Sequence, residues 1–329
     1  MSAAIRPAAL ADYIGQPEIV TALRRAITAA KQGGRQLGHL LFAGSSGCGK
    51  TTISQIIAAE IGAPLVATTG PAIEHKGALA ALLTGLPAGA VLFVDEIHGL
   101  DRKLQEILYS ALEDGVIDLQ AGKRMIRMKL EPFTLVAATT RAALLTAPLR
   151  DRFAYTFQLR PYAPEAIAEI IRRASAPLGL VVDQAACGEI ARRSRGVPRV
   201  ALRLLRAARD FAASAGCGPF VSATCAGAAL DAIGVDEIGL DGTDRAYLTI
   251  VARAAGAIGL DAIAAELGEE RRTIEEVIEP YLLAAGLVRR TKAGRVATAA
   301  GVAHLAPRPV AWAPKNRMID DVEDAELVS

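Results

Sequence analysis

Eight residues, Gly44 to Thr51 in "GSSGCGKT", carry the spacing GxxxxGK followed by Ser or Thr. Glycines placed this way let backbone N–H groups turn inward around phosphate oxygens, the lysine reaches the β and γ phosphates, and the last hydroxyl ligates Mg2+. Gly44, Gly47, Gly49, Lys50, Thr51 and the adjoining Thr52 are therefore candidate nucleotide contacts. The pattern also arises by chance, but its position between the apolar "HLLFA" and the helical "TTISQIIAAEIG" removes most random matches. A second motif, "VLFVDEIH", ends four apolar residues in Asp95 and Glu96. Asp95 can hold the metal ion, directly or through water, and Glu96 is placed to orient and polarise the water that attacks a γ-phosphate. Two solvated acids at the end of a buried strand are the plainer reading, and the phosphate loop weighs against it.

Phosphoryl transfer also needs charges that converge on the developing γ-phosphate oxygens. "AATTR" offers Thr140, "PLRDRF" offers Arg150 and Arg152, and "GVPR" offers Arg199. Each arginine taken alone is better read as a surface residue. Their joint order along the chain favours a site.

The elements that must hold these residues follow from periodicity. From residue 39 to 159 short β-rich runs alternate with helical stretches, which implies a mainly parallel sheet covered by helices on both faces. Within it, "GVIDLQAGKRMIRMKLEP" alternates Ile126, Met128 and Leu130 with Arg127 and Lys129 about Gly122, an inserted hairpin at about 116–130. After "RPYAPEA" the pattern is purely helical, with Pro164 starting one helix and "GVPR" separating two others. A third segment has three helices and then "LVRRTKAGRVAT", two short strands about a turn, which together describe a winged helix. The expected division is 1–160, an α/β ATPase domain; 161–235, a small all-α lid; 236–308, the winged helix; and 309–329, an acidic tail with few core-forming residues.

Composition narrows the class. The chain has 329 residues, enough for two or three cores, and is 52% hydrophobic but only 4% aromatic, so its cores are built from Ala, Leu, Ile and Val. Its net charge of +2 is uneven, because the last fifteen residues set five acids against Lys315 and Arg317 and leave a mild basic excess elsewhere. Cys48, Cys187, Cys217 and Cys225 show no CxxC spacing, and the four histidines are scattered, which argues against a zinc site. No apolar run reaches the ~18 residues that span a bilayer, and "MSAAIRPAAL" has no charged-then-apolar signal pattern, so the expectation is a cytoplasmic protein without a membrane partner.

From "LADYIGQ" to "RVAT" the chain resembles the RuvB family, the Holliday-junction branch-migration ATPases of the AAA+ class. "GPAIE", "VLFVDEIH", "PFTLVAATTR", "PLRDRF", "ARRSRGVPR", "VDEIGLD" and "LGEERRTIEEVIEPYL" carry the resemblance in order. It implies an AAA+ fold with a lid and a winged helix, ATP and Mg2+ as cofactors, and a hexameric ring of like subunits. It implies double-stranded DNA at a Holliday junction as the partner, with RuvA gripped by the inserted hairpin. By resemblance, Lys50 and Thr51 form the phosphate loop, Asp95 and Glu96 are the metal and water acids, and Thr140 is the first sensor. Arg152 is the finger that reaches a neighbouring subunit's ATP, and Arg199 is the second sensor. Ile5, Arg6, Tyr162 and the "ED" pair Glu113 and Asp114 fall at nucleotide contacts, and Arg290 and Arg295 on the DNA-contacting wing. Four features depart from the family: the hairpin is shorter, Ser45, Ser46 and Cys48 replace two prolines and an apolar residue, Gly115 replaces an aromatic, and Gly99 replaces an arginine. They leave open a paralogue that remodels a protein, as clamp loaders do, or a nucleotide-gated DNA-binding scaffold.

The wing puts Arg289, Arg290, Lys292 and Arg295 into seven positions. The preceding helix carries Glu269, Glu270, Glu275, Glu276 and Glu279, which would set carboxylates against phosphates if it entered a groove. The expectation is that the wing makes the approach, with Arg290 and Arg295 straddling a backbone phosphate without reading sequence. A solvated hairpin with no ligand is the alternative.

Overall fold

A computed structural model describes residues 6–121 and 124–306, with no side-chain description at 119–121 and 124. Ile5, the Gly122 turn and the acidic tail lie outside the described residues. Two compact units are present, one ending at Leu240 and the other beginning at Asp241.

The first unit is organised by five parallel strands. They are β1 (Leu40–Ala43), β2 (Leu65–Thr69), β3 (Val91–Asp95), β6 (Thr134–Thr139) and β7 (Tyr155–Gln158), in the spatial order β2-β3-β6-β1-β7. The inserted hairpin, β4 (Val116–Ala121) and β5 (Arg124–Lys129), forms its own two-stranded sheet. Successive residues of the central strands divide between two separate cores. Leu40, Phe42, Val91, Phe93, Val136 and Ala138 enter one, while Leu41, Leu92, Val94, Leu135 and Ala137 enter the other. This division is the two-residue period of a strand buried on both faces, and it explains why these runs read as continuously apolar. Helices α1 (Pro17–Gln32) and α2 (Lys50–Ile61) cover the first face, and α3 (Lys76–Thr84) and α4 (Arg102–Asp114) the second. A side chain such as Leu40 or Ile53, fully buried here, contributes about 1.5–3 kcal/mol by leaving water. Short α5 (Ala147–Asp151) leads into β7. All five strands run the same way, so Ala43, Asp95 and Thr139 end on one rim, beside the central strand where the connections change sides.

The remainder of this unit is helical: α6 (Pro164–Ser175), α7 (Gln184–Arg193), α8 (Pro198–Ser214) and α9 (Ala223–Ala232). Proline opens α6 and α8, where its missing N–H has no intrahelical partner to lose. Asp183 and Ser222 cap α7 and α9. The expectation of a purely helical segment needs correction. Val181–Val182 (β8) and Phe220–Val221 (β9) form a two-residue parallel pair, too short to give a periodic signal.

The second unit starts at α10 (Gly242–Arg253), held by a reciprocal Asp241–Asp244 capping box, and continues with α11 (Leu260–Leu267). Next come α12 (Arg271–Thr273), a π-turn at Ile274–Ile278 and α13 (Glu279–Ala284) in direct succession. Pro280 accounts for the π-turn: with no N–H for the carbonyl four residues back, and a ring that crowds it, the helix widens by one residue. The wing is β10 (Val288–Thr291) against β11 (Gly294–Ala297), and Ile258 adds a one-residue third strand by exchanging both backbone bonds with Arg295. Gly294 is required here, since φ is 141° and a Cβ would stand 2.3 Å from the Ile258 carbonyl oxygen. A closing helix, α14 (Ala299–His304), capped by Thr298, was not expected from the sequence.

Candidate functional site

On the sheet rim, a cavity of about 500 Å³ is lined by the phosphate loop, the end of β3, the N-terminal segment and the first turn of α8. The loop's glycines are conformationally committed: φ is 150° at Gly44, 84° at Gly47 and 100° at Gly49. A Cβ at Gly47 would stand 2.9 Å from both Val197 and Arg199, and one at Gly49 would stand 2.7 Å from the Tyr13 hydroxyl. The loop therefore lies directly beneath the start of α8 on one side and an aromatic ring on the other.

Lys50 opens α2 and is only 6% exposed, with Nζ donating to the carbonyls of Gly44 at 2.7 Å and Ser45 at 3.1 Å. Burial lowers its pKa, and the nearby Glu96 and Asp95 carboxylates oppose the shift. Ser46, one of the departures from the family, accepts a hydrogen bond from Arg199 Nη1 at 3.0 Å. Cys48, another departure, is fully buried, and burial pushes its thiol up.

Asp95 ends β3, and its Oδ1 accepts the Glu96 N–H at 3.0 Å. Glu96 itself adopts φ 46°, a left-handed conformation that costs a non-glycine residue and persists only where its surroundings enforce it. Those surroundings are visible. Glu96 Oε2 accepts from the Thr140 N–H at 3.1 Å and the Thr140 hydroxyl at 3.0 Å, and β3 pairs directly with β6, which brings the two together. His98 Nδ1 stands 3.2 Å from the same oxygen and 3.0 Å from Thr139 Oγ1. From below, Gly70 presses on the turn so closely that a Cβ there would be 2.3 Å from the Glu96 carbonyl oxygen. Pro71 sits against Gly99 in the same way, 2.7 Å from where a Cβ would be, so a larger residue at Gly99 would need Pro71 to move.

Tyr162 donates its hydroxyl to the Cys48 carbonyl at 3.2 Å and shares a 2.8 Å hydrogen bond with Tyr13. Burial pushes the Tyr13 hydroxyl up to about 12, so it remains a neutral group. Arg6 lines the cavity and donates to Gln55 at 3.1 Å. Thr51, Thr52, Asp95, Glu96 and Arg199 line it as well, while Gly44 serves as the lysine's acceptor. Thr51 and Asp95 give a hydroxyl and a carboxylate on one wall, hard oxygen donors that suit Mg2+. Among the described residues no group of three His, Cys, Asp or Glu could hold a metal, and a cation here would take most of its shell from phosphate oxygens and water.

Two expected nucleotide contacts, Glu113 and Asp114, do not line this cavity, nor does Arg152, expected at a neighbouring subunit's ATP. Arg152, just after α5, pairs with Glu113 Oε1 at 2.9 Å, donates to the Tyr109 hydroxyl at 3.2 Å and stacks 4.9 Å from the Tyr109 ring centre. Its Nε is buried with no hydrogen-bond partner among the described residues. Tyr13 and His98 were missed as site residues. Both stand inside motifs that the sequence displays, "LADYIGQ" and "VLFVDEIH".

The wing departs from expectation. Arg290 and Arg295 are cross-strand neighbours, yet neither stands free. Arg290 Nε bonds Glu279 Oε2 at 2.9 Å, with Nη2 also on that oxygen, and Arg295 Nε bonds Glu279 Oε1 at 2.7 Å. Arg295 also approaches Glu275 at 3.6 Å, and the Tyr247 hydroxyl donates to Glu279 Oε1 at 2.6 Å. Glu279, expected among the carboxylates of an approach-blocking helix face, is fully buried. Burial pushes its carboxyl up, but hydrogen bonds from Arg295, Tyr247 and Arg290 outweigh that and hold it below its ordinary value. Arg289 and Lys292 are exposed.

Comparison with known proteins gives three consecutive family matches. Residues 5–159 match the Holliday junction DNA helicase RuvB P-loop domain, 162–236 the RuvB AAA lid domain, and 237–306 the RuvB C-terminal winged helix domain. The chain belongs to the RuvB family. It is thus a P-loop ATPase of that family. A RuvB subunit from Paramagnetospirillum magneticum is 46% identical over 321 residues, covering 96% of this chain and 91% of the relative. RuvB 2 from a Synechococcus strain is 48% identical over 307 residues, covering 92% and 83%. Among solved structures, the Thermotoga maritima RuvB Holliday junction branch migration motor superposes with a TM-score of 0.83 at 40% identity, covering 92% of this chain and 98% of that one. No helix among the described residues is long and apolar enough to cross a membrane.

Proposed function

We propose that this protein is an ATP-driven motor that moves duplex DNA through a Holliday junction, acting as a ring of like subunits. One observation carries the ring. Lys50, Thr51, Asp95, Glu96 and Arg199 line a single cavity, whereas Arg152 stands outside it with a buried Nε that lacks a hydrogen-bond partner among the described residues. A γ-phosphate in that cavity needs a further cation in the transition state, and an adjoining subunit is the source that this placement favours. Glu113 and Asp114 belong to that donating side in this reading.

Within one subunit, the loop amides and Lys50 bind the phosphates, and Arg199 contacts the γ-phosphate from the start of α8. Thr140 holds the Glu96 carboxylate, which orients the attacking water. Thr51 and Asp95 would hold Mg2+, which supplies positive charge to the phosphate oxygens. DNA contact is assigned to the wing, through Arg290 and Arg295, and is directed at phosphates so that the motor does not stall at particular sequences. The hairpin exposes Ile126 and Met128 on one face and Met125 on the other, apolar surface that suits a protein partner of the RuvA kind.

The test is migration of a synthetic four-way junction by the purified protein with ATP, with and without RuvA, alongside steady-state phosphate release. Strand products that form only with hydrolysable nucleotide support the motor. Robust phosphate release without strand movement, even with RuvA present, points instead to an ATPase that remodels a protein.

A further inference from the structure

Two guanidiniums placed directly opposite one another on adjacent strands repel, and a small hairpin has no reason of its own to hold them together. Here one buried carboxylate does so. Each arginine spends its Nε and Nη2 on Glu279. A guanidinium has five N–H donors in a rigid fork, so both keep their Nη1 groups out of these bonds. The carboxylate is itself fixed, because Tyr247 reaches it from α10 and the π-turn before Pro280 brings Glu275 and Glu279 to the same arginine. We propose that Glu279, fixed by Tyr247, is the positioning residue of the wing: it holds Arg290 and Arg295 as one preformed fork whose unused N–H donors take a DNA backbone phosphate. The proposal rests on the reading that these arginines contact DNA.

A plainer account makes Glu279 only an internal counter-charge, and the two accounts differ in sign. Removing a negative charge beside a polyanion site tightens binding when the charge does nothing else. Removing a positioning group disperses the fork and weakens binding. The experiment measures affinity of the full-length chain for duplex and four-way junction DNA across a salt series, for Glu279→Gln, Tyr247→Phe and the double variant Arg290→Ala with Arg295→Ala. Thermal melting of each serves as the folding control.

The expected result for Glu279→Gln is about tenfold weaker binding, with the log–log salt slope reduced by about 0.9 for each phosphate that the wing no longer engages. Tyr247→Phe keeps the ring and removes one hydrogen bond, and should weaken binding about two- to fivefold in the same direction. Glu279→Gln binding as tightly as the parent or tighter, with an unchanged slope while the double variant is weakened, overturns the proposal and leaves the arginine contacts standing. A double variant that binds like the parent overturns the underlying reading and the proposal with it. Should Glu279→Gln fail to fold, Tyr247→Phe decides alone, and parental affinity and slope in that variant reject the idea.

Discussion

Gly70→Ala should cripple hydrolysis without touching any group that binds nucleotide. The added methyl would stand 2.3 Å from the Glu96 carbonyl oxygen and 3.1 Å from its carbon, whereas ordinary contact begins near 3.4 Å. Both neighbours are backbone, so no side chain can rotate away. The Glu96 turn must move by about 1 Å, and Glu96 is already in a left-handed conformation held by Thr140. A displacement of that size at a reacting centre costs about 10²-fold in rate. The assay is steady-state phosphate release with saturating ATP and duplex DNA, together with nucleotide binding measured by fluorescence. The expected pattern is kcat down by about two orders of magnitude with the nucleotide Kd within about threefold of the parent. Gly188→Ala is the control: Gly188 is exposed within α7 with nothing near its missing Cβ, so alanine should stabilise the fold by ~0.4–1 kcal/mol and leave turnover alone. If Gly70→Ala turned over within about threefold of the parent, the claim that this turn sets the position of the catalytic carboxylate would be wrong.

Arg152→Ala should lower turnover by about 10³ to 10⁵ while leaving ATP binding intact, and mixing it with Glu96→Gln subunits should restore part of the activity, measured as phosphate release against mixing ratio. Parental turnover by Arg152→Ala alone refutes the shared-site assignment. The Glu279 carboxyl has a lowered folded pKa, so its stabilisation is complete above the ordinary value of about 4.3 and is lost as pH falls towards the folded value. The Tm gap between the parent and Glu279→Gln should therefore be constant near neutrality and narrow below about pH 4.

What could be read in advance was local. The spacing of Gly44, Gly49 and Lys50, or of Val94 and Asp95, is set by neighbours in sequence, and their strand and helix contexts follow from short-range periodicity. What escaped reading depends on contacts between distant segments. Tyr13 matters because it meets Tyr162 and Gly49 in space, and His98 because β6 brings Thr139 beside it. Glu279 was grouped with the other glutamates of its helix by sequence proximity, whereas the wide turn before Pro280 changes the facing of the residues around it. The Val181–Phe220 pairing failed for a different reason, since two residues carry no period at all.

The bond between Ser46 and Arg199 has a mechanical side. Arg199 sits in the first turn of α8, a rod of 17 residues that extends about 25 Å, with its near end propped on the phosphate loop. A phosphate oxygen offers that guanidinium a stronger, charge-assisted grip than a serine hydroxyl does. Exchanging one for the other would free the near end of the rod from Ser46, and a tilt of about 5° there would carry the far end through about 2 Å. On the reading proposed for Arg199, filling the phosphate loop would thus be felt along the whole length of α8.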